Sequence, residues 1–260
     1  MRSSLRPRTA RTLPCASVPG ESFDEKKRRA ARIARRLARA HPDAQCALHF
    51  ETPFQLLVAT ILSAQCTDAM VNRVTPELFR RWGTPEKLAA ADAREVEALV
   101  RPTGFYRQKA KSIQSTAQDV VVRFGGEVPR TLAELTTLRG VARKTANVVL
   151  GNCFGVPGLT VDTHMTRVNQ RLRLARESDP VKIERELMAL LPPREWTAYS
   201  HRVIQHGREV CLARRPLCPG CALRPDCPWP GSLEAKRHAG ARARSALAQA
   251  RRGGARKPRA

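Results

Sequence analysis

Acidic side chains are scarce in this sequence. The 260 residues hold 47 lysines and arginines against 23 aspartates and glutamates, which gives a formal net charge of +24 at pH 7. A field of that sign favours polyanionic partners, with nucleic acid first and an acidic membrane surface second. Long apolar runs are missing too, since none approaches the length of about 20 residues that a membrane-spanning helix needs. We therefore expect a nucleic-acid partner and no membrane.

Convincing alternation of apolar and polar residues, which marks half-buried strands, is also missing. Helix start signals recur instead, and several pair a capping side chain with a first-turn proline. These starts are Thr52-Pro53, Thr75-Pro76, Thr84-Pro85 and Asp179-Pro180, and capping-box spacing adds Asp92 with Glu95 and Thr131 with Glu134. Another helix is expected over 24–40, where the basic run predicts a solvated face. The sequence therefore predicts an all-α fold.

A secretory signal is missing as well, so the eight cysteines indicate reduced thiols rather than a disulfide framework. Four of them follow the spacing C-x6-C-x2-C-x5-C: Cys211, Cys218, Cys221 and Cys227. No hydrophobic core explains such a loop, so we interpret it as a Cys₄ metal site. The spacing favours zinc and a [4Fe–4S] cluster comparably, because both take four thiolates. The other four cysteines lack such grouping and are interpreted as core or incidental.

Both ends of the chain are basic and of low complexity. Residues 1–22 are rich in Arg and Ser, and their three prolines interrupt any amphipathic helix. A disordered arm over 1–23 is therefore favoured over a mitochondrial transit peptide. Residues 231–260 carry nine basic residues and one glutamate, and they are too polar to pack. They predict a disordered tail that attracts DNA electrostatically.

The most informative stretch runs from Leu138 to His164. A small-residue turn leads into a helical run, and Lys144 lies near the start of that helix. Unpaired N–H groups at a helix start suit an anion such as a DNA phosphate. The helix dipole and partial burial would both favour the neutral, nucleophilic form of the lysine. With Asp162 eighteen residues later, the pair suggests amine attack on a carbonyl-like carbon assisted by a carboxylate.

Plainer interpretations exist for the same residues. A glycine-containing turn before a helix is commonly only a connection, and a first-turn lysine is commonly solvated. In the loop 61–68, the polar residues around Gln65 could simply cap two helices. Phe105 follows a glycine turn, where an aromatic side chain is more often part of the core than a contact residue. The residues alone leave these alternatives open.

The stretches VARKTANVVLG and VDTH closely resemble the helix-hairpin-helix and aspartate of the endonuclease III family of DNA glycosylases. The resemblance implies that Lys144 and Asp162 are the catalytic pair. It further implies DNA contacts from the hairpin and two loops, namely from Gln65, Phe105, Gly140, Val141, Ala142, Arg143 and His164. Gln65 would fill the space of an extruded base, and Phe105 would act as a wedge.

Two hairpin residues depart from the L-P-G-V-G sequence common in that family. Arg139 stands in place of the proline, and Ala142 in place of the second glycine. Because alanine tolerates positive φ poorly, the second departure predicts a slightly altered hairpin that binds phosphate less tightly.

The resemblance also implies an architecture and a cofactor. We expect the helix-hairpin-helix DNA glycosylase fold with two helical lobes and an iron-sulfur loop. One lobe would be a helical barrel over 46–156 that includes the hairpin at about 131–153. The other would combine 24–45 with 157–230 and hold a [4Fe–4S] cluster on the four grouped cysteines. DNA would bind in the groove between the lobes.

The implied function is that of a bifunctional base-excision-repair glycosylase with AP-lyase activity. It would act as a monomer on damaged double-stranded DNA, removing oxidised pyrimidines and cleaving on the 3′ side by β-elimination. We expect it at the bacterial nucleoid in the cytoplasm, or in mitochondria or the nucleus of a eukaryote. One alternative is a monofunctional mismatch adenine glycosylase, but proteins of that type lack a lysine at the position of Lys144. The other is a non-enzymatic zinc-containing DNA-binding module, which would bind DNA without cleaving it.

Overall fold

The computed structural model describes Val18 and residues 20–229. The predicted tail at 231–260 and most of the predicted arm at 1–23 lie outside these residues. Within the described range the chain is helical and forms no strand, as predicted. The α-helices are α1 Phe23–Ala40, α2 Pro53–Leu62, α3 Asp68–Trp82, α4 Pro85–Ala89, α5 Ala93–Val100, α6 Tyr106–Phe124, α7 Leu132–Leu135, α8 Arg143–Cys153, α9 Thr163–Arg171, α10 Pro180–Leu190 and α11 Trp196–Glu209.

Side-chain caps start most of these helices where the sequence predicts. Thr52 and Thr84 each precede a first-turn proline and accept an N–H from the residue three positions on. Asp179 does the same at the start of α10. Asp92 caps α5 and Thr131 caps α7. Each cap satisfies a backbone donor that the helix itself leaves unpaired.

The start predicted at Thr75-Pro76 is wrong, because Pro76 lies inside α3. That helix begins earlier, where Thr67 accepts the N–H of Met70. Its buried face continues through Val74 and Leu78, on either side of the proline. Packing of this face therefore outweighs the hydrogen bond that a proline removes from a helix interior.

The buried apolar residues form two clusters, which define the two lobes of the fold. The first lobe packs residues between Leu48 and Leu150 from α2 to α8. In the second lobe, α1 packs against α9, α10 and α11, and Leu223, which follows α11 in the chain, belongs to the same cluster. Two helical lobes are thus confirmed, whereas the domain boundaries at 45/46 and 156/157 stay a prediction.

The basic run of α1 is less solvated than predicted. Arg29 is 7% exposed and donates to the backbone carbonyl of Leu172 at 2.7 Å. Its guanidinium also pairs with Glu21 at 2.6 Å. The helix therefore uses part of its charge to hold the second lobe together, since a buried guanidinium needs partners for its donors.

Helix α8 joins the lobes. It packs against α2 in the first lobe and touches α11 in the second. The contact with α11 is close, because a Cβ placed on Gly151 would lie 2.6 Å from the hydroxyl oxygen of Thr197. Among the described residues, none of the helices is long and apolar enough to cross a membrane.

Candidate active site

Lys144 and Asp162 line the same cleft between the two lobes, which has a volume of about 450 Å³. The loop 43–49, the end of α2 and the outer face of α11 form the rest of its wall. Other polar side chains on this wall include Gln45, His49, Ser63, Asp68, His201 and Arg208. Arg208 bridges the lobes by donating to Asp68 at 2.7 Å. The cleft therefore presents both charge signs to a ligand.

Lys144 is the second residue of α8 and is exposed. Partial burial, which is expected here from the sequence, is wrong, because Lys144 lies on the solvent-facing side of the helix. Ala142 precedes the helix and provides no side-chain cap. The first-turn N–H groups therefore remain able to bind an anion next to the amine.

The hairpin before α8 depends on Gly140. Its φ of 78° is in the left-handed region, and an added Cβ would lie 3.1 Å from the Cβ of Ser112. Thr116 holds the preceding residue by donating its hydroxyl to the carbonyl of Arg139 at 2.9 Å. Ala142, in contrast, is extended at φ −84°. Alanine therefore fits the conformation at this position, whereas the altered hairpin and its weaker phosphate binding stay a prediction.

Asp162 is half-buried at the start of α9. Its Oδ1 accepts the N–H of Met165 at 2.8 Å, which caps the helix. His164, in the same turn, lies with Nδ1 3.1 Å from a guanidinium nitrogen of Arg167. Among the ion pairs of the described residues, none joins Asp162 to Lys144. Both groups therefore face the cleft without neutralising each other.

Gln65 and Phe105 share an unusual backbone conformation. Their φ values are 51° and 48°, in the left-handed region that costs a side-chain-bearing residue energy. Both are exposed, and Phe105 keeps 69% of its surface in contact with solvent. Below Phe105, the buried Lys109 donates its ammonium to the carbonyl of Thr103 at 2.7 Å. Two strained loops thus present side chains that no core packing accounts for.

The four grouped cysteines line one cavity beneath α9 and α11. Its remaining wall is mostly apolar and includes Val168, Leu172 and Leu223. Two side chains approach the sulfurs: Arg171 donates to Cys211 Sγ at 3.3 Å, and His206 Nε2 lies 3.5 Å from Cys221 Sγ. In the part of the chain that the structure describes, no three Cys, His, Asp or Glu side chains converge on one ion-sized point.

Glu184 is a residue that the motifs do not single out. It lies in α10, is 4% exposed, and accepts from Arg143 Nε at 2.7 Å. The guanidinium of Arg143 is therefore held by this carboxylate, and the DNA contact of Arg143 stays a prediction. A signal existed in the sequence, since Glu184 falls on the face of α10 that carries Ile183 and Leu187.

Comparisons with known proteins give one consistent result. Residues 58–193 match the family described as HhH-GPD superfamily base excision DNA repair protein. The chain is 53% identical over 204 residues to the Endonuclease III of Synechocystis sp., covering 78% of this chain and 93% of that protein. A non-covalent Endonuclease III–DNA complex superposes with a TM-score of 0.75 at 42% identity, covering 82% of this chain and 97% of that one. A trapped Endonuclease III–DNA covalent intermediate has the same TM-score, identity and share of this chain, with 98% of its own covered.

Proposed function

This chain belongs to the endonuclease III family of base excision DNA repair proteins, and we propose that Lys144 and Asp162 carry out its reaction on oxidised pyrimidines in duplex DNA. The chain is a bifunctional enzyme, a DNA glycosylase that also acts as an AP lyase. The observation that carries the residue assignment is the placement of an exposed lysine and a helix-capping aspartate on one interlobe cleft. The family resemblance supports the lesion class.

In the first step Lys144 Nζ attacks C1′ of the damaged nucleotide. The N-glycosidic bond breaks, and the base leaves with the bonding electrons and takes up a proton. Asp162 stabilises the positive charge that develops at C1′ and assists this proton transfer. A covalent intermediate divides one difficult displacement into easier steps. The trapped Endonuclease III–DNA intermediate supports covalent chemistry of this kind.

In the second step the sugar opens to an iminium joined to Lys144. Loss of the C2′ proton then breaks the bond between C3′ and its oxygen, and the 3′ phosphate leaves with the electron pair. Water hydrolyses the iminium and returns the free amine. The exposed position of Lys144 supports this role, because the amine must reach the sugar of an extruded nucleotide.

DNA binding would involve the hairpin and the two strained loops. The turn 140–142 and the uncapped start of α8 would bind a phosphate through backbone N–H groups. Gln65 and Phe105 would enter the base stack when the damaged nucleotide leaves it. Their exposure and left-handed backbone support this role, since strain of this type is common at functional positions.

Cys211, Cys218, Cys221 and Cys227 would hold a [4Fe–4S] cluster. The residues fit such a group, because four cysteines line one largely apolar cavity and Arg171 donates to one of the sulfurs. Four thiolates can hold either zinc or an iron-sulfur cluster, and the endonuclease III family favours the cluster. The cluster would fold the loop that presents Arg214 and Arg215 to DNA.

Borohydride trapping tests the assignment of Lys144. The protein is mixed with a duplex containing an abasic site, and borohydride reduces any iminium to a stable protein–DNA adduct. We expect wild-type protein to give the adduct and Lys144→Ala to give none while still binding the duplex. Lys111→Ala is the matched control, because Lys111 is an exposed helical lysine on α6, away from the residues that line the cleft.

Normal trapping and strand cleavage by Lys144→Ala would contradict the assignment. Loss of the adduct in both lysine variants would show that general electrostatics, rather than one amine, controls the reaction. A second substrate, a duplex with one oxidised pyrimidine, tests the lesion class. Release of that base at no more than the background rate would refute it.

A further inference from the structure

Glu184 is a buried carboxylate without a part in the reaction proposed above. Its side chain is 5% exposed and lies in α10 of the second lobe. Its helix neighbours Ile183 and Leu187 are fully buried. A carboxylate in such surroundings is tolerated only when its charge is paired and its oxygens accept hydrogen bonds.

The partners of Glu184 belong to the helix that carries Lys144. Arg143 donates to Oε2 through Nε at 2.7 Å and to Oε1 through Nη2 at 2.9 Å. Asn147 Nδ2 donates to Oε1 at 3.1 Å. Arg143 and Asn147 lie four residues apart on α8, and Lys144 lies between them. Glu184 therefore fixes the first turn of α8 against the second lobe.

Asn147 also fixes the segment that leads to Asp162. The same Nδ2 donates to the carbonyl of Leu159 at 2.9 Å, and Asn147 is only 5% exposed. The segment from Leu159 then runs three residues to Asp162, with the N–H of Thr160 held by Ser200 at 3.0 Å. One hydrogen-bonded unit, consisting of Arg143, Asn147 and Glu184, thus connects the backbones that carry the lysine and the aspartate.

We propose that Glu184 is a positioning residue that, through Arg143 and Asn147, sets the separation of Lys144 and Asp162 across the cleft. The inference rests on the roles proposed for that pair. Small displacements of reacting groups are costly, since a shift of about 1 Å can lower a rate about 100-fold. A bidentate guanidinium–carboxylate pair limits such shifts, because both its distance and its plane are fixed.

The exposure of Arg143 gives this unit an effect on DNA binding that a purely structural pair would not have. The side chain of Arg143 is 41% exposed and lies at the DNA-facing hairpin. Loss of the carboxylate charge would release this guanidinium toward a DNA phosphate. Removing Glu184 should therefore slow the chemistry without weakening DNA binding, which separates the two measured quantities.

Glu184→Gln tests the inference, because it keeps the size of the side chain and removes its charge. We expect the single-turnover rate of borohydride-trapped adduct formation, at saturating protein, to fall about 10- to 100-fold. The dissociation constant for the abasic duplex should stay the same or decrease. Arg143→Gln should slow the same step, and the double variant should be little worse than either single one, since both changes break one unit.

Glu21→Gln is the matched control. Glu21 is bound by Arg29 through the same two-pronged geometry, at 2.6 and 2.8 Å, and its side chain is 12% exposed. This pair lies in the second lobe and does not line the cleft. We expect Glu21→Gln to lower thermal stability comparably and to leave the single-turnover rate unchanged.

A single-turnover rate of Glu184→Gln equal to that of wild type would overturn the inference. The inference would also be overturned if Glu184→Gln and Glu21→Gln both lost rate and DNA affinity to the same extent. Additive effects in the double variant would overturn it as well. If Glu184→Gln does not fold, Arg143→Lys serves instead, because it keeps the charge and loses the two-pronged bond. An unchanged rate in that variant would refute the proposal. Failure of wild type to form any adduct would refute the proposed function instead.

Discussion

Asp162 uses one carboxylate for two purposes. Its Oδ1 caps α9 by accepting the N–H of Met165 at 2.8 Å, and the same group lines the cleft that Lys144 enters. The cap requires only an oxygen acceptor, whereas the proposed chemistry requires negative charge. The two requirements can therefore be separated by choosing the substitution.

We expect Asp162→Asn to keep the fold and lose the reaction. Asparagine caps a helix about as well as aspartate, so the melting temperature should stay within about 2 °C of wild type. Base release should fall about 100- to 1,000-fold, because the amide offers no charge to the developing cation. Single-turnover glycosylase assays and thermal denaturation measure the two effects.

Asp162→Ala provides the comparison, since it should lose about 1 kcal/mol of stability with the cap in addition to the reaction. Base release by Asp162→Asn at the wild-type rate would exclude a role for the charge.

At the scale of single residues, the sequence identifies those features that neighbouring positions in the chain determine. The helix starts beside Lys144 and Asp162 can be found from a turn and the pattern that follows it, whereas the catalytic roles of the two residues come from the family resemblance. The exposure of Lys144 could not be predicted, because it depends on which side of α8 faces the other lobe. The hydrogen-bonded unit at Glu184 joins residues more than 35 positions apart in the chain, and no local pattern specifies that contact.

The hairpin and α8 together form the element that positions the amine. Gly140 alone in the turn 140–142 has a left-handed φ, and the following Ala142 returns to an extended conformation. The family's second glycine is therefore not required by the backbone of this turn. Capping and proline rules predict most helix starts here, but they fail at Pro76, where buried side chains on both sides carry α3 through the proline.

Gly140→Ala should destabilise the protein by about 1–3 kcal/mol. The left-handed conformation costs alanine about 1–2 kcal/mol, and the new methyl group would press on Ser112 at 3.1 Å. Ala142→Gly is the control, expected to change stability by less than about 0.5 kcal/mol, because a better cap offsets a more flexible unfolded chain.

Urea denaturation of both variants gives the comparison, and the affinity for an abasic duplex shows whether the hairpin still binds. Equal stability changes at the two positions would show that strain in this turn is not concentrated at Gly140.

At the scale of the molecule, the all-α content and the two lobes are confirmed for Val18 and residues 20–229, but the way the lobes are joined was not predictable. Helix periodicity and caps specify local structure, whereas the joining contacts are tertiary: Gly151 against Thr197, Arg208 with Asp68, and Arg143 with Glu184. The basic face of α1 shows the same limit. Arg32 and Arg36 each donate to Asp226 at 2.9 Å, which connects that helix to the cysteine loop.

The contact between α1 and the cysteine loop connects the proposed cluster site to the rest of the second lobe. The loop 211–229 contains only short 3₁₀ turns, at Cys218–Gly220 and Arg224–Asp226. Side-chain contacts hold parts of it, such as those of Arg167 and Arg171 with the carbonyls of Cys211 and Leu212, and the proposed cluster would hold the rest. A ligated loop has most of its folding free energy in the metal–thiolate bonds. Loss of the metal should therefore release Asp226 from Arg32 and Arg36 and loosen the second lobe, while the first lobe keeps its own core.

Anaerobically purified protein should contain about four iron atoms per chain and absorb visible light. Cys221→Ser should lose iron, and limited proteolysis should then cut first within 211–229 and leave the first lobe resistant. Cys153→Ser is the matched control, because Cys153 is half-buried in the first lobe and lies outside the cluster spacing. The iron content of this variant should therefore equal that of wild type.

One zinc per colourless chain would refute the cluster and leave the assignment of Lys144 untouched, since the amine lies in the other lobe. Equal protease resistance of the two variants would show that the loop folds without its metal.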